Sequence, residues 1–570
     1  MAEEVWMLQT KKADFKQIGA RFRIDPVTAR IIRNRGIEGE AAIDRYLNGT
    51  LDDLYDPMLL KDMERAVSIL CEAVDTGKKI RIVGDYDIDG VCSTYILLQA
   101  FERLGSDVDF EIPDRIKDGY GINESIIEQA HADGVEVILT CDNGISAFHQ
   151  VELAKKYGMT VVITDHHEVP LDGEKEKIPP ADAVIDPKQA DCPYPFPEIC
   201  GAVVAYKLVQ VLYARRGVPQ MEWLDLLEFA AIATVGDVMK LQDENRILVK
   251  YGLKKMAQTK NLGLRRLAEK NNLDLGAITA YHIGFVIGPC LNAGGRLKTA
   301  KEALALLRAQ SEEEAERLAE ELKELNDTRK DMTEQGTEEA KLQVESWYQK
   351  DKVLVVFLPE CHESLAGIIA GRLREYYQKP AIVLTRGEEA VKGSGRSIDE
   401  YHMFKKLTEV SDLLLKFGGH PLAAGLSLEE KNIDEFRRRL NENAGLTEED
   451  FKAKVWIDVP MPVGYVTERL VRELSCLEPF GQGNEKPLFA EKSLRIRASR
   501  VLGRNRNVVK MTLEETDGHA IEALYFGDGT AFEEERAGRR EIDVVYYPDI
   551  NEYNGRKTLQ AVIRRYKFRG

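Results

Sequence analysis

The sequence has few of the features that mark secreted, zinc-binding and membrane proteins. Among 570 residues there are eight cysteines, and no two of them form a Cys-x-x-Cys pair. This scarcity argues against a zinc ribbon or a disulfide scaffold and favours a reducing compartment. No apolar stretch approaches the ~20 residues that a membrane-spanning helix needs. The first residues, Met-Ala-Glu-Glu-Val-Trp, lack a basic segment followed by an apolar one, so we expect no signal peptide and a cytoplasmic location.

Basic residues are outnumbered by acidic ones. The 79 Lys and Arg against 96 Asp and Glu give a formal net charge of −17. This balance argues against a protein coated with basic surface, but it does not exclude a local basic groove for nucleic acid. The hydrophobic content of 44% and the charged content of 31% are typical of a soluble globular protein. The length predicts about three or four domains.

The most informative stretch is Ile80-Arg-Ile-Val-Gly-Asp-Tyr-Asp-Ile-Asp-Gly90, in which an apolar run ends in carboxylates at Asp85, Asp87 and Asp89. At about 4 Å, two carboxylates repel by about 4 kcal/mol at an effective dielectric constant of about 20. A divalent cation with oxygen ligands would compensate this repulsion. An EF-hand loop begins similarly, but its twelfth residue would be Ile96 instead of glutamate. A solvated turn is the other structural alternative.

From Lys79 onward, β-branched runs alternate with helical segments. This alternation is typical of a parallel sheet with right-handed crossovers, in which ligands bind at the carboxyl ends of the strands. The predicted strands are Ile80–Val83, Val108–Ile112, Val135–Thr140, Thr160–Thr164 and Ala183–Ile185.

Polar residues follow the first, third and fourth of these strands. After the acidic stretch at Asp85 come Asp142 and then Asp165-His-His167, while Asp237 closes a later helical run that spacing does not place. Carboxylate and imidazole ligands together suit Mn²⁺, and Mg²⁺ is tolerated where oxygens dominate. Because four or more carboxylates are too many for one ion, we infer two metals about 3.5–4 Å apart that act on a phosphoryl group.

These motifs resemble the DHH phosphoesterase superfamily and, within it, the RecJ family of single-strand-specific 5′→3′ DNA exonucleases. The resemblance covers nearly the whole chain and no single motif is unique, but the ordered set is highly specific. Further stretches that carry it are 54–63, 288–296, 364–372, 393–397 and 418–425.

The resemblance implies roles for individual residues. It gives metal ligation to Asp85, Asp87, Asp89, Asp142, His166 and Asp237, with Asp142 as the bridge. It gives catalytic roles to Asp89, Asp165, His166 and His167, of which Asp165 orients the adjacent histidine and His167 faces the scissile phosphate. Substrate binding falls to Arg296, Arg372, Ser394, Arg396, His420, Arg504 and Arg506, and Arg296, Ser394 and Arg396 would hold a 5′ phosphate. The departures are Cys290 and Gly294, where the family often has Arg and Ala, and no function is transferred to Cys290.

The expected fold class is α/β. We predict a helical lead-in over 1–78, a parallel-sheet DHH catalytic domain over 79–298, one long connecting helix over 299–348, a smaller α/β DHHA1 domain over 349–450 and a C-terminal β-barrel of the OB-fold type over 455–570. Lys392–Ser397 is predicted as a small-residue loop. In the barrel, Arg495, Arg497, Arg500, Arg504, Arg506 and Lys510 interleave with Tyr525, Phe526, Tyr546 and Tyr553, which suits single strands, although aromatic residues of a barrel are often core.

The leading hypothesis is a metal-dependent exonuclease that degrades single-stranded DNA in repair and recombination, with the 5′→3′ polarity taken from the resemblance alone. One alternative is a DHH phosphodiesterase for short oligonucleotides or cyclic dinucleotides, which has no need of the barrel. Another is a non-catalytic replication or repair scaffold. The expected partners are 5′-phosphorylated single-stranded DNA and, by resemblance, a single-stranded-DNA-binding protein and a RecQ-type helicase, with the protein itself a monomer.

Overall fold

The computed structural model describes residues 4–553 and 555–569, without the side chains of Tyr553 and Arg556. They form two compact units. The larger contains Leu54–Lys240 and Glu244–Ala453, and the smaller contains Glu4–Asp53, Leu241–Asp243 and the chain from Lys454 onward. Within the described residues, every helix is too short or too polar to cross a membrane.

The first elements of the chain belong to the smaller unit. They are β1 (Glu4–Leu8), α1 (Phe15–Phe22), α2 (Pro26–Asn34) and α3 (Glu40–Asn48). Asp25 caps α2 by accepting a hydrogen bond from the Val27 amide at 2.8 Å. Ile31 and Ile32 on the buried face of α2 lie in one hydrophobic core with residues of the C-terminal barrel. The predicted lead-in over 1–78 is therefore divided, because its first part buries its apolar face against the barrel.

The larger unit begins with a parallel sheet. Its elements are α4 (Met63–Asp75), β2 (Ile80–Val83), α5 (Ile88–Arg103), β3 (Val108–Glu111), α6 (Glu124–Ala132), β4 (Val137–Cys141), α7 (Phe148–Lys156), β5 (Thr160–Thr164), β6 (Leu171–Asp172), β7 (Lys175–Glu176) and β8 (Ala183–Ile185). The strand order is β3-β2-β4-β5-β8, with all neighbours parallel. Strands β2, β4 and β8 are buried throughout, as expected of a sheet covered on both faces. The predicted parallel sheet is confirmed.

A helical region follows. Its elements are α8 (Gly201–Arg216), α9 (Gln220–Leu224), α10 (Leu227–Gly236), α11 (Asp243–Met256), α12 (Leu262–Lys270), α13 (Ala280–His282), α14 (Gly288–Leu297), α15 (Lys301–Arg308) and α16 (Glu312–Gln343). The single helix predicted over 299–348 is wrong, because Ala309 adopts an extended conformation between α15 and α16. Ser311 restarts the helix by accepting a hydrogen bond from the Glu314 amide at 3.2 Å.

The second lobe of the larger unit is a mixed sheet with flanking helices. Its elements are β9 (Leu354–Phe357), α17 (Glu363–Tyr377), β10 (Ala381–Arg386), β11 (Val391–Arg396), α18 (Met403–Thr408), β12 (Leu414–Gly419), β13 (Ala423–Leu428) and α19 (Ile433–Glu442). The strand order is β12-β13-β11-β10-β9, in which β9 and β10 are parallel and the other neighbours antiparallel.

The loop predicted at Lys392–Ser397 is wrong, because residues up to Arg396 form strand β11 between β10 and β13. A Cβ at Gly393 would lie 2.6 Å from Leu384 Cδ2 and 2.9 Å from Leu426 Cδ1. The small residues therefore make space for neighbouring side chains.

The smaller unit is completed by a barrel. Its elements are β14 (Ala453–Ile457), β15 (Val459–Pro460), α20 (Glu468–Leu474), β16 (Phe489–Leu502), β17 (Val508–Glu514), β18 (Ala520–Phe526), α21 (Gly529–Arg536), β19 (Glu541–Tyr553) and β20 (Arg556–Arg569). The order is β15-β16-β17-β18-β20-β19, and pairing of β16 with β19 closes the sheet, which confirms the predicted barrel. β1 pairs with β14.

Two of the aromatic residues expected to stack on bases are structural. Tyr546 is fully buried and donates a hydrogen bond to the Met461 carbonyl at 2.9 Å. The ring of Tyr525 packs against Phe532 and Tyr566. Phe526 is 59% exposed and stays available for a ligand. The Tyr553 side chain lies outside the described residues.

Candidate functional site

The turn after β2 carries the first three carboxylates of the site. Asp85 and Asp89 are buried, with 1% and 0% of their surface exposed. Asp87 caps α5, where its Oδ1 accepts hydrogen bonds from the amides of Asp89 at 2.9 Å and Gly90 at 3.1 Å. A Cβ at position 90 would lie 2.3 Å from the Asp85 carbonyl oxygen, so only glycine allows this tight turn. The turn thereby brings alternate carboxylates to the carboxyl end of β2.

Asp89 is held by the start of another helix. Its two carboxylate oxygens accept hydrogen bonds from the amides of Gly201 at 2.7 Å and Ala202 at 2.8 Å, in the first turn of α8. The positive end of the helix dipole favours a negative charge at this position. Asp89 is therefore fixed in direction although it is completely buried.

Asp142 follows β4 in the left-handed conformation, with a φ of 60°. The next residue, Asn143, ties the neighbouring strand ends together, because its Nδ2 donates to the carbonyls of Val83 at 3.0 Å and Cys141 at 2.9 Å. Its Oδ1 accepts a hydrogen bond from the Ile122 amide at 3.2 Å. The motif Cys-Asp-Asn-Gly thus supplies both a candidate ligand and the residue that holds it in place.

The histidine pair after β5 divides into two environments. Nε2 of His166 lies 3.1 Å from Asp142 Oδ1, 3.4 Å from Asp89 Oδ2 and 3.8 Å from Asp237 Oδ2. Sequence spacing did not place Asp237, and the structure shows it at the end of α10, close to the other carboxylates. A single imidazole nitrogen therefore faces three carboxylates that come from separate parts of the chain.

His167 is paired with the buried Asp165. Its Nδ1 lies 2.7 Å from Asp165 Oδ1, and the other Asp165 oxygen accepts a hydrogen bond from the Ile145 amide at 2.9 Å. Tyr120, which the sequence analysis missed, has its hydroxyl 3.0 Å from His167 Nδ1 and donates to the Asp142 carbonyl at 2.7 Å. These contacts orient the His167 ring, whose side chain is 43% exposed.

The carboxylates and the histidines form compact groups with metal-ligand chemistry. In each group, one ligand atom per residue lies within 4.8 Å of the others. Hard oxygen ligands with one or two imidazoles fit Mn²⁺ or Mg²⁺. The groups are Asp89 with His166 and Asp237, Asp85 with Asp87 and Asp142, and Asp142 with His166 and His167.

The electrostatics of these groups are those of a site that needs a cation. Burial raises the pKa of Asp142 well above its ordinary value, and the charges of Asp89, Asp87, Asp85 and Asp237 raise it further. Burial, followed by the charges of neighbouring aspartates, has the same effect on the pKa of Asp85 and Asp237. A bound cation would relieve both the burial cost and the mutual repulsion.

The pKa values of His166 and His167 are shifted in opposite directions. Burial lowers the pKa of His166, which leaves the neutral imidazole that a metal ligand requires. Burial also acts to lower the pKa of His167, but its hydrogen bond with Asp165 and that residue's charge raise it overall to about 9. Burial acts to raise the pKa of Asp165, but the hydrogen bond with His167 and the charge of that histidine lower it overall. His167 is therefore cationic at neutral pH, and Asp165 is anionic.

Half-buried arginines of the larger unit form a second cluster. Arg296, in the last turn of α14, donates from Nη1 to the Ser364 carbonyl at 3.0 Å. Arg396, at the end of β11, donates from Nη1 to Ser394 Oγ at 3.2 Å and to the Gly395 carbonyl at 2.8 Å. A cavity of about 250 Å³ is lined by Ser394, Ser364, Tyr86 and Arg115, so it lies between the two lobes of this unit.

The arginines repel one another. Burial lowers the pKa of Arg296 to about 10, and the charges of Arg115, Arg329 and Arg396 contribute in the same direction, while Asp87 opposes them. Burial also lowers the pKa of Arg396, with the charges of Arg374 and Arg115 adding to the effect. Clustered, partly desolvated guanidinium groups are suited to a phosphate, which would remove this repulsion.

Arg115 is a residue that the sequence analysis missed. It follows β3, and its guanidinium carbon lies 4.5 Å from the centre of the Tyr86 ring. Since Arg115 comes soon after the second strand of the parallel sheet, its position at this edge follows from the same rule for strand ends.

Other predicted residues lie elsewhere. Arg372 is exposed on α17, and its charge helps to lower the pKa of Arg329 after the larger effect of burial. His420 is exposed in the turn between β12 and β13, where its amide donates to the Ala423 carbonyl at 2.8 Å. Arg504 and Arg506 lie in the exposed turn between β16 and β17 of the smaller unit, and Arg506 Nε donates to Thr530 Oγ1 at 3.0 Å.

Comparison with known proteins agrees with these observations. Three family models match the chain: the N-terminal domain of the DHH family at 79–234, the DHHA1 domain at 350–445 and the RecJ OB domain at 457–565. The single-stranded-DNA-specific exonuclease RecJ of Bacillus subtilis (strain 168) is 36% identical over 98% of this chain and 70% of its own length. The protein of the same name from Escherichia coli (strain K12) is 34% identical over 95% of each chain.

A solved structure extends the agreement to the fold. The crystal structure of RecJ from Thermus thermophilus in complex with Mn²⁺ matches with a TM-score of 0.84 and 28% identity, covering 99% of this chain and 80% of that one. The crystal structure of RecJ with Mg²⁺ from the same organism matches with a TM-score of 0.78 and 27% identity, covering 99% of this chain and 78% of that one. On its sequence, its fold and its domain models, the chain belongs to the RecJ family of DHH proteins.

Proposed function

We propose that this protein is a divalent-metal-dependent exonuclease that degrades single-stranded DNA from its 5′ end to mononucleotides, in DNA repair and recombination. The observation that carries the proposal is the set of overlapping ligand groups that share Asp142 and His166, in the same unit as a cluster of arginines with phosphate-binding chemistry. The names of the relatives, single-stranded-DNA-specific exonucleases, support the substrate.

The ligand groups support two metal ions. Asp89, His166 and Asp237 would hold one ion, Asp85 and Asp87 the other, and Asp142 would bridge them. Mn²⁺ is the proposed ion and Mg²⁺ a tolerated one, in line with the Mn²⁺ and Mg²⁺ complexes of the Thermus thermophilus protein. Two such ions supply an activated water and stabilise both oxygens of an in-line displacement at phosphorus.

His167 would contact the scissile phosphate. Its imidazolium keeps one proton in the hydrogen bond between Nδ1 and Asp165, so the other ring nitrogen can donate to a phosphate oxygen. The Tyr120 hydroxyl lies 3.0 Å from Nδ1 and 3.3 Å from Nε2 of His167, and it restrains the ring further. Asp165 is a positioning residue here: its carboxylate accepts the hydrogen bond from Nδ1 of His167 and thereby fixes the orientation of the ring.

The arginine cluster would set the polarity. Arg115, Arg296, Ser394 and Arg396 can together bind the terminal 5′ phosphate, since Arg296 and Arg396 are already oriented by hydrogen bonds to backbone carbonyls. A phosphate held at a constant distance from the metal ligands would place one particular phosphodiester in the site. Cleavage would therefore proceed from the phosphorylated end.

The smaller unit would bind the strand without regard to sequence. Arg504 and Arg506 in the exposed turn of the barrel can contact the phosphate backbone, and the exposed ring of Phe526 can stack on a base. This unit favours a long substrate over the short oligonucleotide or cyclic dinucleotide of the alternative hypothesis. A single-stranded-DNA-binding protein, a RecQ-type helicase, a monomeric state and a cytoplasmic location stay predictions from the sequence.

Digestion of labelled 40-mers tests the proposal. With Mn²⁺, we expect a 5′-phosphorylated single strand to release its 5′ label at once as a mononucleotide, whereas a 3′ label leaves last. A blunt duplex should resist, and EDTA should stop the reaction. Release of the 3′ label first would contradict the polarity. A 3-mer that is cleaved much faster than the 40-mer would favour the phosphodiesterase.

A further inference from the structure

A second cavity of the larger unit, of about 480 Å³, lies at the far ends of the helices that hold the metal ligands. Helix α5 begins at Asp87, and Tyr95 and Arg103 further along it line the cavity. Helix α8 begins at the amides that bind Asp89, and its Tyr213 lines the cavity as well. At 1.5 Å per residue, Tyr95 lies about 12 Å and Arg103 about 24 Å along α5 from Asp87, so this cavity is separate from the site described above.

A buried carboxylate in this cavity has an oxygen without a partner. Glu228, in the first turn of α10, is 3% exposed, and its Oε1 accepts a hydrogen bond from the Thr259 hydroxyl at 2.7 Å. Its Oε2 is buried and finds no hydrogen-bond donor among the described residues. An unsatisfied buried acceptor costs about 1–3 kcal/mol, which a ligand with an N–H donor would offset. Burial raises the pKa of Glu228 to about 7.

The wall beside Glu228 is aromatic and mostly apolar. Tyr95 and Phe229 pack against each other in it, with ring centroids 4.3 Å apart and ring planes tilted by 49°. The Tyr95 hydroxyl accepts a hydrogen bond from Asn261 Nδ2 at 3.2 Å, which fixes the direction of the hydroxyl. Further apolar lining comes from Leu226, Leu262 and Leu307. Aromatic walls with a single buried acceptor suit a planar heterocycle that carries an amino group.

The charged lining of the cavity is nearly balanced, with four cations against three carboxylates, one of which is the buried Glu228. Arg103 is paired with Glu222, and Arg308 is paired with Glu102. Lys255 and Lys260 share the single carboxylate of Asp225, so this edge of the cavity keeps one positive charge. Lys260 has a side chain that is 82% exposed and lies 3.3 Å from Asp225, so it can turn toward a ligand at little cost. The cations are Arg103, Lys255, Lys260 and Arg308.

We propose that this cavity binds a purine mononucleotide. The amino-bearing edge of the base donates to Glu228 Oε2, and the ring packs against the wall formed by Tyr95 and Phe229. The phosphate lies beside Lys260, at the edge where two lysines share one carboxylate. Binding at this cavity requires no metal and does not depend on the proposed nuclease activity. If that activity is correct, the ligand belongs to the class of its own products.

Calorimetric titration of the full chain with dGMP in EDTA tests the proposal. All titrations use a protein that carries Arg396→Ala, which removes a proposed phosphate contact in the arginine cluster. We expect saturable binding at one site with a Kd below about 1 mM. In this background, Glu228→Leu removes the acceptor and should weaken binding at least tenfold. Lys260→Glu reverses an exposed charge and should also weaken it, whereas Lys254→Glu, on an exposed lysine outside the cavity, should not.

The outcomes separate the possible sites. Absence of saturable binding in the Arg396→Ala background would overturn the proposal, as would equal affinity of the Lys260→Glu and Lys254→Glu variants. Equal affinity for dGMP and dTMP would contradict the role given to the amino edge of the base. Circular dichroism and thermal unfolding establish that Glu228→Leu is folded. If Glu228→Leu does not fold, the comparison of Lys260→Glu with Lys254→Glu still tests the proposal.

Discussion

At the scale of single residues, Asp142 has the most demanding position. It adopts a left-handed backbone conformation, which β-branched and bulky residues tolerate poorly and which Asp and Asn tolerate best after glycine. Its carboxylate is common to two candidate ligand groups and lies beside His166 Nε2. Both the backbone and the side chain of this residue are therefore restricted, for different physical reasons.

Asp142→Asn should separate the two restrictions. Asparagine keeps the left-handed conformation but removes the charge between the proposed ions. We expect the thermal unfolding temperature without metal to stay the same or rise, because like charges are removed, and Mn²⁺ affinity and nucleotide release to fall at least a hundredfold. Titration with Mn²⁺, followed by electron paramagnetic resonance, measures the affinity. Asp172→Asn, at an exposed hairpin, is the control. Unchanged Mn²⁺ binding in Asp142→Asn would remove Asp142 from the site.

Arg396→Lys tests the proposed role of the arginine cluster at the same scale. Lysine keeps the charge but loses the forked donor geometry that guanidinium offers to phosphate and to Ser394. The wild type should prefer 5′-phosphorylated over 5′-hydroxyl single strands, and the variant should lose about tenfold of that preference in kcat/KM. Arg438→Lys, at an exposed side chain on helix α19 of the same lobe, serves as the control. A preference that survives in Arg396→Lys would place the terminal phosphate elsewhere.

At the scale of elements, strand β11 shows where local sequence and tertiary structure disagree. Its sequence, Val-Lys-Gly-Ser-Gly-Arg, has the composition of a turn, yet it is an interior strand paired on both sides. Glycine is unfavourable in strands, but the side chains of Leu384 and Leu426 fill the space that a side chain at Gly393 would need. The pairing with two neighbouring strands therefore outweighs local propensity, and it places Ser394 and Arg396 in the arginine cluster.

Gly393→Val should destabilise the second lobe although valine is a good strand residue. Its side chain would overlap Leu384 and Leu426, and overpacking of this kind costs about 1–3 kcal/mol. Gly425→Ala on the neighbouring strand β13 is the matched control, because a Cβ there meets nothing within 4 Å. Differential scanning calorimetry should show a lower unfolding temperature for Gly393→Val only. A stabilised Gly393→Val variant would mean that this segment is a loop.

At the scale of the molecule, the smaller unit is assembled from both ends of the chain. The Asp25 amide and the Thr28 hydroxyl both donate to Glu473 Oε1 at 2.6 Å, and Asn34 Nδ2 donates to the Asp458 carbonyl at 2.9 Å. Ile31 and Ile32 are fully buried in the same core as Phe489. The N-terminal helices and the barrel are thus one folding unit in spite of the more than 400 residues between them.

This organisation predicts how truncations behave. A chain of residues 1–453 keeps α2 without the barrel that covers it, so it should expose Ile31 and Ile32 and aggregate. A chain of residues 54–453 removes both parts and should stay monodisperse. Size-exclusion chromatography and binding of a hydrophobic dye compare the two. If the longer chain is the better behaved, the N-terminal helices fold without the barrel.

The sequence by itself determined the parallel sheet and most of the candidate metal ligands of this protein. Both depend on local order: β-branched runs mark the strands, and polar residues directly after parallel strands must meet at one edge of a sheet. Only the tertiary structure decided the positions of Asp237, Tyr120 and Arg296, the break between α15 and α16, the identity of β11 as a strand, and the joining of the N-terminal helices to the barrel. These depend on contacts between residues far apart in the chain, whose energies are invisible in any short stretch of sequence.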